Sequence, residues 1–315
     1  MAKRLLVAIP CLNEASTIEK VVMDVPRIIS GIDIVEVLVV DDGSSDKTSS
    51  LAISAGALVI THSRNFGVGK AFQSAVNYAI ENDFDLMINI DGDRQFNPKD
   101  IPKLVTPLLE EQADMVTASR FLNGERPTDM PKVKQIGNHM MSFLISRMVR
   151  QKFYDVSCGF RGYSREALLQ LNLHGAFTYT QETFLDFAVK RLTILEVPIK
   201  VAYFQDRESR VAGSISKYAL NTAKIIFRGY RDYFPLRFFW SIALALSIPA
   251  ILLGLIFFGH YYISGVFTGY LFAGFLSAFF FLLALVFFVL GVVADMLDRI
   301  RSNQERILYR LKKRD

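Results

Sequence analysis

Cysteine and histidine are scarce, at two and four in 315 residues. Cys11 and Cys158 are too few for a disulfide framework, and a cytoplasmic domain would keep both reduced. His62, His139, His174 and His260 are scattered with no metal-ligand spacing, so no zinc centre is indicated. No Gly-x-x-x-x-Gly-Lys-Ser/Thr run is present, and a P-loop ATPase is not supported. Aromatic and basic residues are not interleaved. The net charge of +5 therefore suits an anionic membrane surface rather than nucleic acid. No internal repeat or low-complexity segment occurs. The longest absence is of charge itself: residues 238–294 contain no Asp, Glu, Lys or Arg.

Within that segment, residues 238–258 and 270–293 each exceed the roughly 18–20 apolar residues that cross a bilayer. Pro249 would damage a soluble helix but is tolerated in a membrane one. The link 259–269 carries no Lys or Arg, whereas Arg228, Arg231 and Arg237 precede the first span and a basic run from Arg299 to Arg314 follows the second. By the positive-inside rule, both ends are cytoplasmic and the link faces out. Lys3-Arg4 leads straight into a strand-like run, so no signal peptide is expected. Lys217, Lys224, Arg228 and Arg231 share one face of a helix expected over 216–234, which suits the headgroup layer.

Ahead of the spans, apolar runs alternate with helical patterns. Strands are expected at 5–9, 35–40, 57–61, 84–90, 115–118 and 195–203. Helices are expected at about 16–29, with Ser16-x-x-Glu19 as a capping box, and at 47–55, 66–82, 101–111, 133–149 and up to 190 around Glu182. Residues 123–131 read as a loop, and Met140, Met141 and Met148 as core packing. Strand–helix alternation at this spacing implies a parallel, Rossmann-like sheet.

Three polar clusters then fall at the carboxyl ends of strands, where open α/β sheets bind ligands. They are Pro10-Cys-Leu12-Asn13-Glu14, Asp41-Asp42-Gly-Ser and Asp91-Gly92-Asp93. The last offers two carboxylates at i, i+2 with hard oxygen donors only, which suits Mg²⁺ or Mn²⁺ completed by a substrate's phosphates. The first two suit a nucleoside, though turn formation and helix capping account for the same residue types. Arg64-Asn-Phe-Gly67-Val-Gly69-Lys70 brings two cations and two glycines to a helix start, a candidate phosphate cradle.

Taken together with Ser119-Arg120, Gly137-Asn138, Asp155-Val-Ser-Cys-Gly159-Phe160-Arg161, Gln181-Glu182 and a late Arg/Ser/Lys cluster, these pieces cover about residues 5–220. In this order they resemble the family 2 glycosyltransferases of GT-A fold, in the branch of dolichyl- and polyprenyl-phosphate sugar synthases. The resemblance implies an α/β fold: a GT-A Rossmann-like mixed, mainly parallel sheet with flanking helices, plus a C-terminal two-helix transmembrane hairpin. It implies a cytoplasmic catalytic domain at 1–213, a juxtamembrane helix at 214–235, two spans within 236–294 and a basic tail at 295–315. Asp91, Asp93 and Gln95 would hold the divalent metal on a nucleotide-sugar diphosphate. Pro10, Leu12, Asn13, Glu14, Asp41, Asp42, Gly67, Lys70 and Gly92 would line the donor, and Arg207 or Arg210, with Lys217, would close over it. Arg120, Lys134 and Arg161 would meet the phosphate of a polyprenyl acceptor, and Glu182 would steer the sugar or act as a base.

The chain departs from the family pattern at Leu12 (usually Tyr), at Gly92 and Arg94 (usually Asp-Ala-Asp-Leu-Gln) and at Cys158 (usually Ser). The pattern Arg210-Val-Ala-Gly213-Ser-Ile-Ser216-Lys217 is one residue longer than usual. UDP-glucose is the first expectation for the donor and GDP-mannose the alternative. Other readings are a transferase or processive synthase acting on a glycan or glycolipid, and a non-enzymatic scaffold. The only tryptophan, Trp240, lies inside a span, so the Gln-x-x-Arg-Trp motif of processive synthases is absent. A homo-oligomer and a downstream flippase are left open as partners.

Overall fold

The computed structural model describes residues 2–124, 130, 132–172, 179–201, 224 and 227–313, excluding the side chains of 124 and 132–134. Arg207, Arg210 and Lys217, the expected 216–234 helix as far as residue 223, and most of the 123–131 loop lie outside the described residues. The chain forms two units, 1–224 with 308–315, and 225–307.

In the first unit the apolar runs become a seven-stranded sheet of order β3-β2-β1-β4-β6-β5-β7. The strands are β1 (Arg4–Cys11), β2 (Ile34–Asp41), β3 (Leu58–Thr61), β4 (Leu86–Asn89), β5 (Met115–Ser119), β6 (Arg161–Ser164) and β7 (Ile194–Pro198). All neighbours pair in parallel except β6, which runs antiparallel to both β4 and β5. The mixed sheet is as expected, but β6 itself is not legible in sequence: Arg-Gly-Tyr-Ser is only four residues long and contains a glycine. Its insertion puts Arg161 between Asn89 and Thr117 in the middle of the sheet.

Helices α1 (Ile18–Asp24), α2 (Thr48–Ser54), α3 (Val68–Glu81), α4 (Ile101–Leu109), α5 (Lys132–Val149), α6 (Arg165–Gln170) and α7 (Tyr179–Val189) complete this unit. α1 is shorter than expected, and no capping box forms. The carbonyl of Glu14 accepts from Thr17 N and Ile18 N at 3.0 and 2.9 Å, so the preceding turn starts the helix instead.

α5 buries polar side chains beside apolar ones. Asn138, Ser142 and Ser146, spaced by four, face inward and donate to the carbonyls of Tyr154 (3.3 and 3.1 Å) and Phe153 (3.3 Å). Ile136, Met140 and Phe143 face outward, 67%, 45% and 64% exposed. Met141 is core as expected; Met140 is not.

The second unit is a helical hairpin of α8 (Pro235–Ser264) and the apolar part of α9 (Leu271–Lys312), both long and apolar enough to cross a membrane. Small residues let the helices approach: Gly291 meets Trp240, Gly274 meets Phe257, and Ser277 donates to the Ala250 carbonyl at 2.7 Å. Two apolar clefts of about 620 and 610 Å³ share Ser247 and Phe281, so they run end to end along the hairpin. α9 continues through the expected basic tail. From Leu308 it belongs to the first unit, where Tyr309 donates to Glu166 (3.0 Å) and Lys312 to the Leu171 carbonyl (3.0 Å).

Candidate functional site

The three polar clusters do meet at the carboxyl edge of β1, β2 and β4. The chain passes β4 and turns at once: Asp93 Oδ1 accepts from Gln95 N at 3.0 Å, and Arg94 takes a left-handed φ of 63°. Thr17 Oγ1, from the loop after β1, donates to the Gly92 carbonyl at 2.8 Å. Asn13, itself left-handed, donates from N to Ser44 Oγ and accepts from Ser45 N, both at 2.8 Å, and so joins the first cluster to the second. The loop after β3 packs on Gly43, where a Cβ would stand 2.6 Å from the Arg64 carbonyl carbon.

Several expected ligand residues are engaged within the protein. Asp41 accepts from Ser44 N (2.8 Å) and from the Ser49 hydroxyl. Asp42 accepts from Phe66 N (3.0 Å) and Gly67 N (2.7 Å) and pairs with His62 Nδ1 (2.7 Å). Both carboxylates are buried, so they shape the loops at this edge, which is the turn-forming reading of their spacing. Lys70 is exposed, with Nζ 3.4 Å from Gln73 Oε1, and the Arg64 guanidinium lies over the Phe66 ring.

One of the expected acceptor cations, Arg161, is placed differently. Arg161 is fully buried and donates to the carbonyls of Cys158 (2.8 Å), Thr180 (2.7 Å) and Val156 (3.0 Å). Its expected contact with an acceptor phosphate is corrected to a structural and electrostatic role. Arg120 forks onto Asp155, with Nε 2.6 Å from Oδ2 and Nη2 2.8 Å from Oδ1, and also donates to Ser157 Oγ at 2.9 Å. Asp155 is in turn held by Glu196, whose carboxylate accepts from Tyr154 N and Asp155 N at 2.9 and 2.8 Å. Ser157 donates onward to Asn138 on α5. Cys158 is buried in the core, and burial pushes its thiol up to about 12, so it offers the site no hydroxyl-like contact. Lys134 is on α5, its side chain outside the described residues, and Glu182 is in the first turn of α7.

Asn89 and Tyr179 were missed in sequence. Asn89, a buried amide ending an apolar strand, donates from Nδ2 to the Gly159 carbonyl and to Tyr179 Oη, both at 3.0 Å. A polar residue inside Leu-Met-Ile-Asn-Ile is the signal that points to it.

Electrostatics single out one member of the acidic turn. Burial, then Asp93 and Glu14, push the Asp91 carboxyl up to about 7, against the opposing pull of Arg120 and Arg161. A carboxylate raised this way, beside a second one and with oxygen donors only, fits a hard divalent cation. Among the described residues no three His, Cys, Asp or Glu side chains converge as a metal cage.

The chain has relatives among known proteins. Residues 6–171 match the family Glycosyl transferase family 2. An uncharacterized protein of Methanocaldococcus jannaschii is 32% identical over 71% of this chain and 90% of its own length. The UDP-N-acetylglucosamine–dolichyl-phosphate N-acetylglucosaminyltransferase of Methanococcus voltae is 30% identical over 64% of this chain and 88% of its own. The undecaprenyl-phosphate mannosyltransferase of Micrococcus luteus is 27% identical over 67% and 89%. Among solved structures, glucosyl-3-phosphoglycerate synthase from Mycobacterium tuberculosis, in complex with Mn²⁺, UDP and glucosyl-3-phosphoglycerate, superimposes with a TM-score of 0.53. It is 26% identical and covers 71% of this chain and 80% of that one. With a GT-A-like sheet, an acidic turn at its carboxyl edge and these relatives, the chain belongs to glycosyl transferase family 2 and is a glycosyltransferase.

Proposed function

We propose that this enzyme transfers a hexose from a nucleotide-sugar to a polyprenyl phosphate by a single, metal-dependent, inverting displacement at the cytoplasmic face of a membrane. The observation that carries the reading is the Asp91-Gly92-Asp93 turn, whose charge asks for a cation, in a chain that also holds two membrane-length apolar helices. UDP-glucose is the donor proposed. GDP-mannose is the second reading, favoured by relatives named for mannose transfer.

Asp91 and Asp93, with Gln95, hold Mg²⁺ or Mn²⁺ together with the donor's diphosphate. The ion supplies charge neutralisation at the departing diphosphate. Pro10, Leu12, Asn13 and Glu14 border the nucleoside, while Asp41 and Asp42 act by shaping the loops around it. Arg210 and Lys217 are proposed to close over the diphosphate.

A lipid monophosphate has a second pKa of about 6 and is largely a dianion at neutral pH, so it attacks without a dedicated general base. What it needs is to be held in line with the anomeric carbon. Arg120, fixed by Asp155, and Lys134 are the cations proposed for that task. Arg161 acts through its field on Asp91, and Glu182 orients the sugar.

An isoprenoid acceptor leaves the bilayer only at about 0.8 kcal/mol per CH₂, so the site must work at the interface. The outward apolar face of α5 and the clefts along the hairpin support that reading. The test is transfer of labelled sugar into the organic-extractable fraction by the purified full chain. It uses a polyprenyl phosphate, Mg²⁺ or Mn²⁺, a panel of UDP- and GDP-sugars, and chelator controls. One sugar moving to lipid only with metal supports the proposal, and no lipid product from any donor overturns it. Asp93→Asn is expected to abolish transfer while leaving the fold intact.

A further inference from the structure

Gly92 is not a glycine for backbone reasons. Five glycines with positive φ occur among the described residues, at 31, 43, 56, 67 and 265, and Gly92 is not one of them. Its missing side chain answers to space. A Cβ built there would stand 2.6 Å from Cys11 Sγ, closer than such atoms come, while Ile9 Cγ2 and Glu14 Cγ lie at 3.5 and 3.8 Å, ordinary contact distances. The sulfur is itself buried, with Sγ 3.5 Å from the Ile9 carbonyl oxygen. Thr17 Oγ1 donates to the Gly92 carbonyl at 2.8 Å.

We infer that Cys11 and Gly92 are a complementary steric pair, in which the thiol fills the volume of a residue-92 side chain and, with Thr17, sets the position of the Asp91-Gly92-Asp93 turn. Cys11 is a positioning residue here, acting through packing alone. The inference rests on the reading of Asp91 and Asp93 as metal ligands, and it deepens that reading. A ligand pair two residues apart straddles the very atom that Cys11 supports, so a displacement of a few tenths of an ångström at Gly92 moves both carboxylates. Interiors packed to this density transmit such displacements rather than absorb them.

The pair makes a reciprocal prediction that independent roles would not. Gly92→Ala forces its methyl against the sulfur, Cys11→Ala leaves a void behind the turn, and the double variant places the new methyl in that void. Neighbours sharing a cavity couple in this way, whereas separate sites add. With the full chain in lipid nanodiscs, the Mn²⁺ concentration for half-maximal transfer is expected to rise about tenfold in Gly92→Ala and about threefold in Cys11→Ala. The double variant should return to within about threefold of the parent. A double variant as poor as Gly92→Ala, or worse, overturns the inference, as does a Gly92→Ala enzyme with unchanged Mn²⁺ dependence. If Gly92→Ala alone yields no folded protein, recovery of folded protein on adding Cys11→Ala supports the pair, and failure to recover overturns it. Thermal unfolding of all four proteins in chelator reads the same coupling without activity. If the parent lacks metal-dependent transfer the metal reading fails, while the unfolding data still decide whether Cys11 and Gly92 compensate.

Discussion

The carboxylate of Asp91 rests against the α-carbon of Gly159, where a methyl group would stand 2.9 Å from Oδ2 and 3.1 Å from Oδ1. Gly159 has no left-handed φ, and the nearest obstacle to a methyl group there is Asp91. Gly159→Ala should therefore push Asp91 out of place while sparing the sheet. We expect transfer at limiting Mn²⁺ to fall about tenfold or more, the equivalent of about 1.4 kcal/mol. A Mn²⁺ titration with a parallel melting curve checks this. An unchanged titration would mean that Asp91 relaxes freely.

Asp155 is fully buried and carries the fork of Arg120. Replacing it with Asn strands a largely buried guanidinium, a loss of about 3 kcal/mol by the usual cost of breaking such a pair. Arg120→Lys keeps the charge but not the two-pronged geometry, and should cost activity as well. Denaturant unfolding of Asp155→Asn gives the first figure. A change below about 1 kcal/mol, as for surface pairs, would show that the fork is solvated.

The pH dependence of metal binding follows from the sign of the Asp91 shift. Its carboxyl is raised from the ordinary 3.8 to about 7 in the metal-free fold. The stability this group contributes is thus present in full below the unfolded value and is lost as pH rises through about 7. A bound divalent cation reverses the penalty on the charged form. Mn²⁺ should therefore raise the melting temperature of the first unit more at about pH 8 than at about pH 5.5, where it competes with a proton. An equal or larger rise at the lower pH would contradict the assignment of Asp91.

Much of this was legible in the chain because strands buried on both faces read as apolar runs, and because charge is missing from a long segment in a way soluble helices do not need. The site was legible as to edge but not as to role. Asp42 and Asp91 look alike in sequence, each an aspartate beside a second at a strand end. Only the fold shows that Asp42 accepts from the amides of Phe66 and Gly67, while burial, Asp93 and Glu14 raise Asp91 against the pull of Arg120 and Arg161. Arg161 misled for a related reason. An arginine in a motif reads as a phosphate ligand, yet β6 places it mid-sheet, where three carbonyls take its donors. The antiparallel insertion is a long-range pairing without a local pattern to announce it.

α5 carries the last prediction. Its Asn138, Ser142 and Ser146 point inward to the segment that holds Asp155, whereas Ile136, Met140 and Phe143 are exposed. Arg147, Arg150 and Lys152 are exposed at its carboxyl end. An apolar stripe flanked by cations is costly in water and favourable in an anionic headgroup layer. If α5 lies there, a tryptophan at 143 should be quenched by lipids brominated on their acyl chains. The measurement needs Trp240→Phe as background, because Trp240 is the only native tryptophan and sits in α8. Ile28→Trp is the control, since Ile28 is 94% exposed in the first unit and lies outside α5. Strong quenching at 143 with little at 28 would show that the catalytic unit meets the bilayer through α5. Equal, weak quenching at both would mean that this face is turned to water, and that the inward polar residues of α5 serve only to hold the Asp155 segment.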